Sequence, residues 1–358
     1  MDPLSGTQRL KAARRTLLLF LASTLLTVGL AEVAFRVVHH FRPVFFLPRT
    51  DYNQFRAAAG SLHSGHVVNS LGFNDREVSI EKPEGIYRIL GLGDSFAFGV
   101  VPYPDNYLTL LEDHLDHGRG QVEVVNMGIP RIGPASYLAL LEHEGLRMEP
   151  DLVVLSFYIG NDFNLPPRED KFAPKPGSYV AAFLRYLFII RPQFEGLEYD
   201  KNESYRDDQP TLQREGYFKI LRRKLRNFNP ADPQKEQKLR YVTTTLERIR
   251  DLCRERGIPL FVVILPDEIQ IDFALRQELF EAFPGLDPAD FSFQAPNRRL
   301  HRRLEYLEIP YLDLLPRFRS EPSEVPLYKP RDTHWNRRGN AVAAEALTEH
   351  LRRTGWVP

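Results

Sequence analysis

YRILGLGDSFAFGV, residues Tyr87–Val100, is the stretch on which the reading of this chain turns. A short apolar run ends in Gly91-Leu92-Gly93, and an acid and a serine, Asp94 and Ser95, follow before the chain stays apolar. Such a run is a strand that ends in a tight turn, and three kinds of turn compete. A dinucleotide fingerprint needs a third glycine where Phe96 stands, and no Gly-Lys-Ser/Thr follows for a phosphate loop. The G-x-S-x-G elbow of the α/β-hydrolases fails at Ala97. What remains is a serine raised at a strand end, or an ordinary strand end rich in small residues.

Outward from this stretch the signals alternate. Apolar runs recur at Val122–Val125, Leu152–Tyr158, Leu260–Leu265 and Ile309–Leu314. Amphipathic stretches lie between or after them, at Asn106–His117, Ala135–Glu144, Pro233–Arg256, Pro296–Leu307 and Arg338–Arg353. Near-continuous apolar strands alternating with helices predict a doubly wound α/β domain whose parallel sheet is covered on both faces. In such a sheet, ligands sit at the carboxyl ends of the strands. Residues 165–231 are too long for a plain connection and read as an insertion. It holds the apolar YVAAFLRYLFII from Tyr179 and the basic YFKILRRKLRN from Tyr217, either packed insertion helices or a lid or membrane-facing surface.

A serine is a poor nucleophile without a base, an orienting group and donors for the developing oxyanion. Candidates for each end other strands. Asn126 and Gly128 close the second run, and Gly160, Asn161 and Asp162 close the third. The N–H groups of Ser95 and Gly128 and the side-chain amide of Asn161 would supply three oxyanion donors. Near the C-terminus, PRDTHWN brings Asp332 and His334. In an extended segment, residues i and i+2 point the same way, so Asp332 would orient the imidazole that faces Ser95.

These blocks, Gly93–Ser95, Gly128, Gly160–Asp162 and Asp332–Asn336, resemble in kind and order those of the SGNH (GDSL-type) hydrolase superfamily. The resemblance runs from Tyr87 to the C-terminus, apart from the insertion. It implies a three-layer α/β/α flavodoxin-like fold with a mainly parallel five-stranded sheet. It assigns the letters S, G, N and H to Ser95, Gly128, Asn161 and His334. It also implies acyl-ester cleavage or transfer through an acyl-enzyme, with no cofactor and no metal. Phe96 stands where the eponymous motif has leucine, and the last block is D-x-H, with Arg331 where many relatives carry the acid. Its D-T-H-W form is similar to that of membrane-associated SGNH proteins and of the alginate O-acetyltransferase-like branch. Three activities stay open: a serine esterase, an O-acyltransferase acting on an envelope or exported polysaccharide, and a non-catalytic glycan-binding protein on the same fold.

The 358 residues carry 47 basic and 47 acidic side chains, so no global field draws the chain to nucleic acid. The one cysteine, Cys253, excludes an internal disulfide and reads as a small buried residue. The histidine pairs His39 and His40, His63 and His66, and His114 and His117 lack a carboxylate or cysteine set that would complete a metal site. Arg9, Lys11, Arg14 and Arg15 precede the uncharged run Thr16–Ala31. A basic flank before an apolar run keeps the N-terminus inside and sends the remainder across. The expected organisation is a basic cytoplasmic segment (1–15), a transmembrane signal anchor (16–38), a stalk and edge segment (39–84), and the hydrolase domain (85–358). The expected location is the bacterial inner membrane, single-pass, with the domain on the far side; cleavage after a signal peptide would instead secrete it. Expected partners are an acyl ester or acetylated glycan and, through the helix, the membrane.

Overall fold

The computed structural model describes residues 6–41, 52, 55–165, 178–185, 187–188, 205–322 and 324–357. They divide into two compact units, Met1–Thr50 with Pro167–Glu195, and Asp51–Pro166 with Gly196–Pro358. The expected insertion is therefore divided between them.

The smaller unit is built on helix α1, Gly6–Phe41. Its segment Ala12–Val38, 27 residues, is long and apolar enough to cross a membrane, and none of that window is buried in the protein.

In the larger unit, the strand reading holds closely. Strands β1 (Tyr87–Gly93), β2 (Val122–Gly128), β3 (Leu152–Tyr158), β4 (Leu260–Leu265) and β5 (Tyr311–Asp313) form one parallel sheet in the order β2-β1-β3-β4-β5. Successive strand residues point to opposite faces, and both faces are apolar. Leu90, Leu92, Val125, Met127, Val153 and Leu155 join one core. Ile89, Val122, Val124, Leu152 and Val154 join the other. That two-sided burial is why the strands read as continuous apolar runs.

Between β1 and β3 the chain leaves toward β2 and returns. The connecting helices are α2 (Ser95–Phe98), α3 (Tyr107–Asp116) and α4 (Pro134–His143). Helix α3 packs on the second face through Leu108 and Leu111, and α4 on the first through Tyr137, Leu140 and Leu141. The crevice at this reversal, above the carboxyl ends of β1 and β3, is where such sheets bind ligands.

The insertion contributes α5 (Tyr179–Arg185) to the smaller unit and α6 (Arg214–Phe228) to the core of the larger. Then come α7 (Lys235–Arg254), α8 (Glu268–Ile271), α9 (Phe273–Ala282), α10 (Ala295–Tyr306), α11 (Leu315–Arg319) and α12 (Arg337–Arg353). Cys253 is buried in α7, and burial pushes its thiol up to about 12. The segment expected as a stalk and edge element differs in part from that reading. Among its described residues, Leu62–His63 pairs antiparallel with His66–Val67, and Val68, Phe73 and Val78 are buried.

One polar pair is set inside the sheet. Arg88 and Glu123 face each other in register across β1 and β2, with Nε 2.5 Å from Oε2. The guanidinium is fully buried and also donates to the carbonyls of Met148 and Ile80 at 2.8 and 3.1 Å. Removing Arg88 leaves the largely buried Glu123 carboxylate with only the half-exposed Arg76, at 3.1 Å, as an ionic partner. Arg88→Ala should therefore lower the unfolding free energy by about 3–5 kcal/mol. Arg88→Met with Glu123→Leu should restore much of it in urea titrations. A loss under about 1 kcal/mol for the single variant would contradict this assignment.

Candidate active site

Ser95 is the first residue of α2, a single turn that starts where β1 ends. Asp94 caps it: its Oδ1 accepts the Phe96 N–H at 2.9 Å. One turn of helix leaves its last carbonyls without intrahelical partners, and four side chains supply donors or contacts there. Asn106 and Asn126 donate to the Ala97 carbonyl at 3.0 and 2.7 Å, and Asn74 donates to that of Phe98 at 2.8 Å. His63 Nε2 lies 2.8 Å from the Gly99 carbonyl. Two residues before β1, His63 and Asn74, thus join Asn106 and Asn126 in holding the serine-bearing turn.

His334 arrives from the loop ahead of α12. Its Nε2 is 2.7 Å from Ser95 Oγ, and its Nδ1 is 2.6 Å from Asp332 Oδ1. Burial pushes the Asp332 carboxyl up, but the His334 and Thr211 hydrogen bonds and the nearby Lys329 charge outweigh it, and the net shift is downward. An ionised carboxylate can only accept. Nδ1 therefore carries the imidazole proton, and Nε2 presents a lone pair to the Ser95 hydroxyl.

The route by which Asp332 meets His334 differs from expectation. The segment is a turn and not extended: Arg331 and Thr333 have φ of +49° and +79°. For a β-branched residue such as Thr333 that conformation is costly, and it is sustained only by the surrounding contacts. The acid is Asp332 itself, and the D-x-H spacing closes on the histidine because the turn folds it back.

Asn161 and Gly128 occupy the expected strand ends, but their hydrogen bonds are partly taken. Asn161 Nδ2 donates to Asp94 Oδ2 at 2.9 Å. Asp94 is buried, which raises its carboxyl pKa against the opposing Phe96 and Asn161 hydrogen bonds. The Gly128 N–H donates to Asn126 Oδ1 at 2.9 Å, so the expected oxyanion donor is engaged by a side chain. What the glycine supplies is room: a Cβ there would overlap the backbone of Ala97 and Phe98. Phe96 packs its ring beside the His334 imidazole, centroids 5.0 Å apart.

Three residues of the site escaped the sequence reading. Asp94 was visible only as an acid beside the serine. Lys224, on α6 of the insertion, pairs with Asp267 at 3.0 Å and donates to Tyr158 at the end of β3. Thr211, also in the insertion, donates its hydroxyl to Asp332 Oδ2. The irregular strap around Thr211 lies along the histidine loop. Thr211 and Leu212 N–H groups donate to the carbonyls of Pro330 and Arg331 at 3.2 and 3.1 Å, and Arg337 pairs with Asp207 at 2.9 Å. No local pattern marks Thr211, because only tertiary contact brings it to Asp332.

Residues 227–358, which include Asp332 and His334, match the family described as SGNH hydrolase-like domain, acetyltransferase AlgX. No curated protein matches the chain. Solved structures similar to it include the acetyl xylan esterase AlAXEase, with 13% identity and a TM-score of 0.43 over 74% of this chain and 99% of that one. An acetyl-xylooligosaccharide esterase from Geobacillus Stearmophilus, in mutant form, has 15% identity and a TM-score of 0.40 over 76% and 96%. A GDSL-like lipase from Bacteroides thetaiotaomicron has 11% identity and a TM-score of 0.37 over 75% and 89%.

The hydrogen bond from Thr211 favours the charged form of Asp332, and its effect has a definite sign with pH. A carboxyl whose folded-state pKa is depressed stabilises the protein fully above its unfolded value, near pH 4, and loses that contribution as pH falls through the folded value. Thr211→Val should therefore cost about 1–3 kcal/mol at neutral pH and distinctly less near pH 3 in urea unfolding. Equal losses at both pH values would contradict the assignment. Over residues 227–358, which carry Asp332 and His334, the chain is thus similar to the family described as SGNH hydrolase-like domain, acetyltransferase AlgX.

Proposed function

We propose that this protein is a membrane-anchored, extracytoplasmic serine esterase that cleaves acyl esters, acetyl esters foremost, through an acyl-enzyme on Ser95. The observation that carries the reading is the hydrogen-bonded chain from Ser95 through His334 to Asp332, set at the ligand-binding edge of the sheet. Ser95 Oγ attacks the ester carbonyl carbon while its proton passes to His334 Nε2. Asp332 holds the imidazolium that results. The charge on the carbonyl oxygen falls to the Ser95 N–H and to the Asn161 amide, which Asp94 orients. As the tetrahedral intermediate collapses, the carbon–oxygen bond to the alcohol breaks, and Nε2 gives its proton to the leaving oxygen. Water, deprotonated by the same nitrogen, then releases the acid and regenerates Ser95. Helix α1 supplies the anchor, with its basic flank on the cytoplasmic side.

A second reading has its own support. The matched family is described as an acetyltransferase. A sugar hydroxyl in place of water would intercept the same acyl-enzyme and make the protein an O-acyltransferase acting on a polysaccharide. An acyl donor supplied with candidate glycans separates the two, since free acid alone means hydrolysis and acylated glycan means transfer.

Ser95→Ala should abolish both ester cleavage and labelling by a fluorophosphonate, and labelling that persists would remove Ser95 from the mechanism. Asp332→Asn should keep the fold and lower kcat by about 10⁴-fold, because a neutral amide no longer fixes the required tautomer. A loss of less than about tenfold would contradict the role given to Asp332.

A further inference from the structure

Between Arg15 and Arg36 the only charged side chain of α1 is Glu32. Helical residues rise about 1.5 Å each, and a hydrocarbon core is about 30 Å thick, so about 20 residues cross it. A core that begins after Arg15 ends near Phe35, which leaves Glu32 about 5 Å inside the boundary opposite the basic N-terminus. A carboxylate at that depth is costly unless it is paired.

Its partners are Arg36 and the start of α5. The Arg36 guanidinium lies 2.8 Å from Oε1. The Tyr179 N–H donates to Oε1 at 2.9 Å, and the Val180 N–H and the Ser178 hydroxyl donate to Oε2 at 3.0 and 3.1 Å. Helix α5 continues along α1: Arg36 stacks over the Tyr179 ring at 4.8 Å, and the Phe35 and Phe183 rings lie 5.3 Å apart. The start of α5 must therefore sit at the depth of Glu32. Two of the apolar side chains that follow do not turn inward. Leu184 is 46% and Phe188 75% exposed, like the bilayer-facing leucines of α1.

We propose that α5, with Leu187 and Phe188, forms a second membrane element, lying in the bilayer leaflet opposite the basic N-terminus and fixed at its depth by Glu32. The inference rests on α1 being a membrane anchor. The partner is the acyl region of a phospholipid leaflet, which takes up Leu184 and Phe188 as it does the leucines of α1. One stretch of the insertion is thereby tied to the membrane, while Thr211 of the same insertion supports Asp332.

The test uses the full chain with Cys253→Ala, reconstituted in phosphatidylcholine–phosphatidylglycerol vesicles. An environment-sensitive fluorophore is attached at Leu184→Cys, Phe188→Cys, Leu25→Cys or Asp208→Cys. The first three probes should show blue-shifted emission and be quenched by nitroxide-labelled lipid, while the probe at the exposed position 208 answers only to aqueous iodide. Probes at 184 and 188 that behave like the one at 208, with the probe at 25 lipid-quenched, would overturn the proposal and leave the anchor standing. A probe at 25 that answers only to iodide would overturn both. Glu32→Ala should at least halve the lipid quenching at 184 and leave that at 25 unchanged; undiminished quenching at 184 would overturn the role of Glu32.

Discussion

A single turn of helix carries Ser95, and the site depends on that turn being held at both ends. So short a helix satisfies almost none of its own backbone, so its position is set by what reaches it from outside. Asp94 closes the amino end, and Asn74, Asn106 and Asn126 close the carbonyl end beside His63. Gly93 and Gly128 leave the space the turn needs against β2 and β3, where any side chain would collide with Ala97. Asp94 serves twice, because its second oxygen accepts from Asn161 and so fixes one strand end relative to the next.

His334 meets this turn across a sequence separation of 239 residues. It is delivered by a loop whose backbone is held in two left-handed residues, and the insertion helps to hold it. The strap around Thr211 joins the loop by backbone hydrogen bonds and adds a hydroxyl to the carboxylate behind the imidazole. The insertion is thus part of the support for the histidine loop. Its first portion belongs with the N-terminal helix, so one long excursion from the sheet serves two separate units.

The sheet was legible because each strand is buried on both faces, and that burial writes an unbroken apolar run in Leu152–Tyr158 and Leu260–Leu265. Ser95 and His334 were legible as residue types at the ends of such runs, in the order of a known set of motifs. The turn at Arg331–Thr333 was not, since neither residue is the glycine that usually marks a left-handed backbone. Gly128 was found at its strand end, but the Asn126 side chain that takes its N–H lies two residues away on the same strand, a contact that depends on local geometry alone. Helices α8 and α9 went unread because the first is one turn long and both begin at an aspartate cap rather than at a clear apolar period. Thr211 and Lys224 act through contacts 121 and 66 residues away in the chain, which no local pattern encodes.

The central claim is covalent: an acyl group resides on Ser95 during turnover. Acid-quenching the wild-type protein in the steady state with an activated acetyl ester, followed by peptide mass mapping, tests it most directly. The account predicts the mass of one acetyl group on the peptide that contains Ser95, localised to that serine by fragmentation. Turnover with no such adduct, or with the acetyl group on another residue, would contradict it.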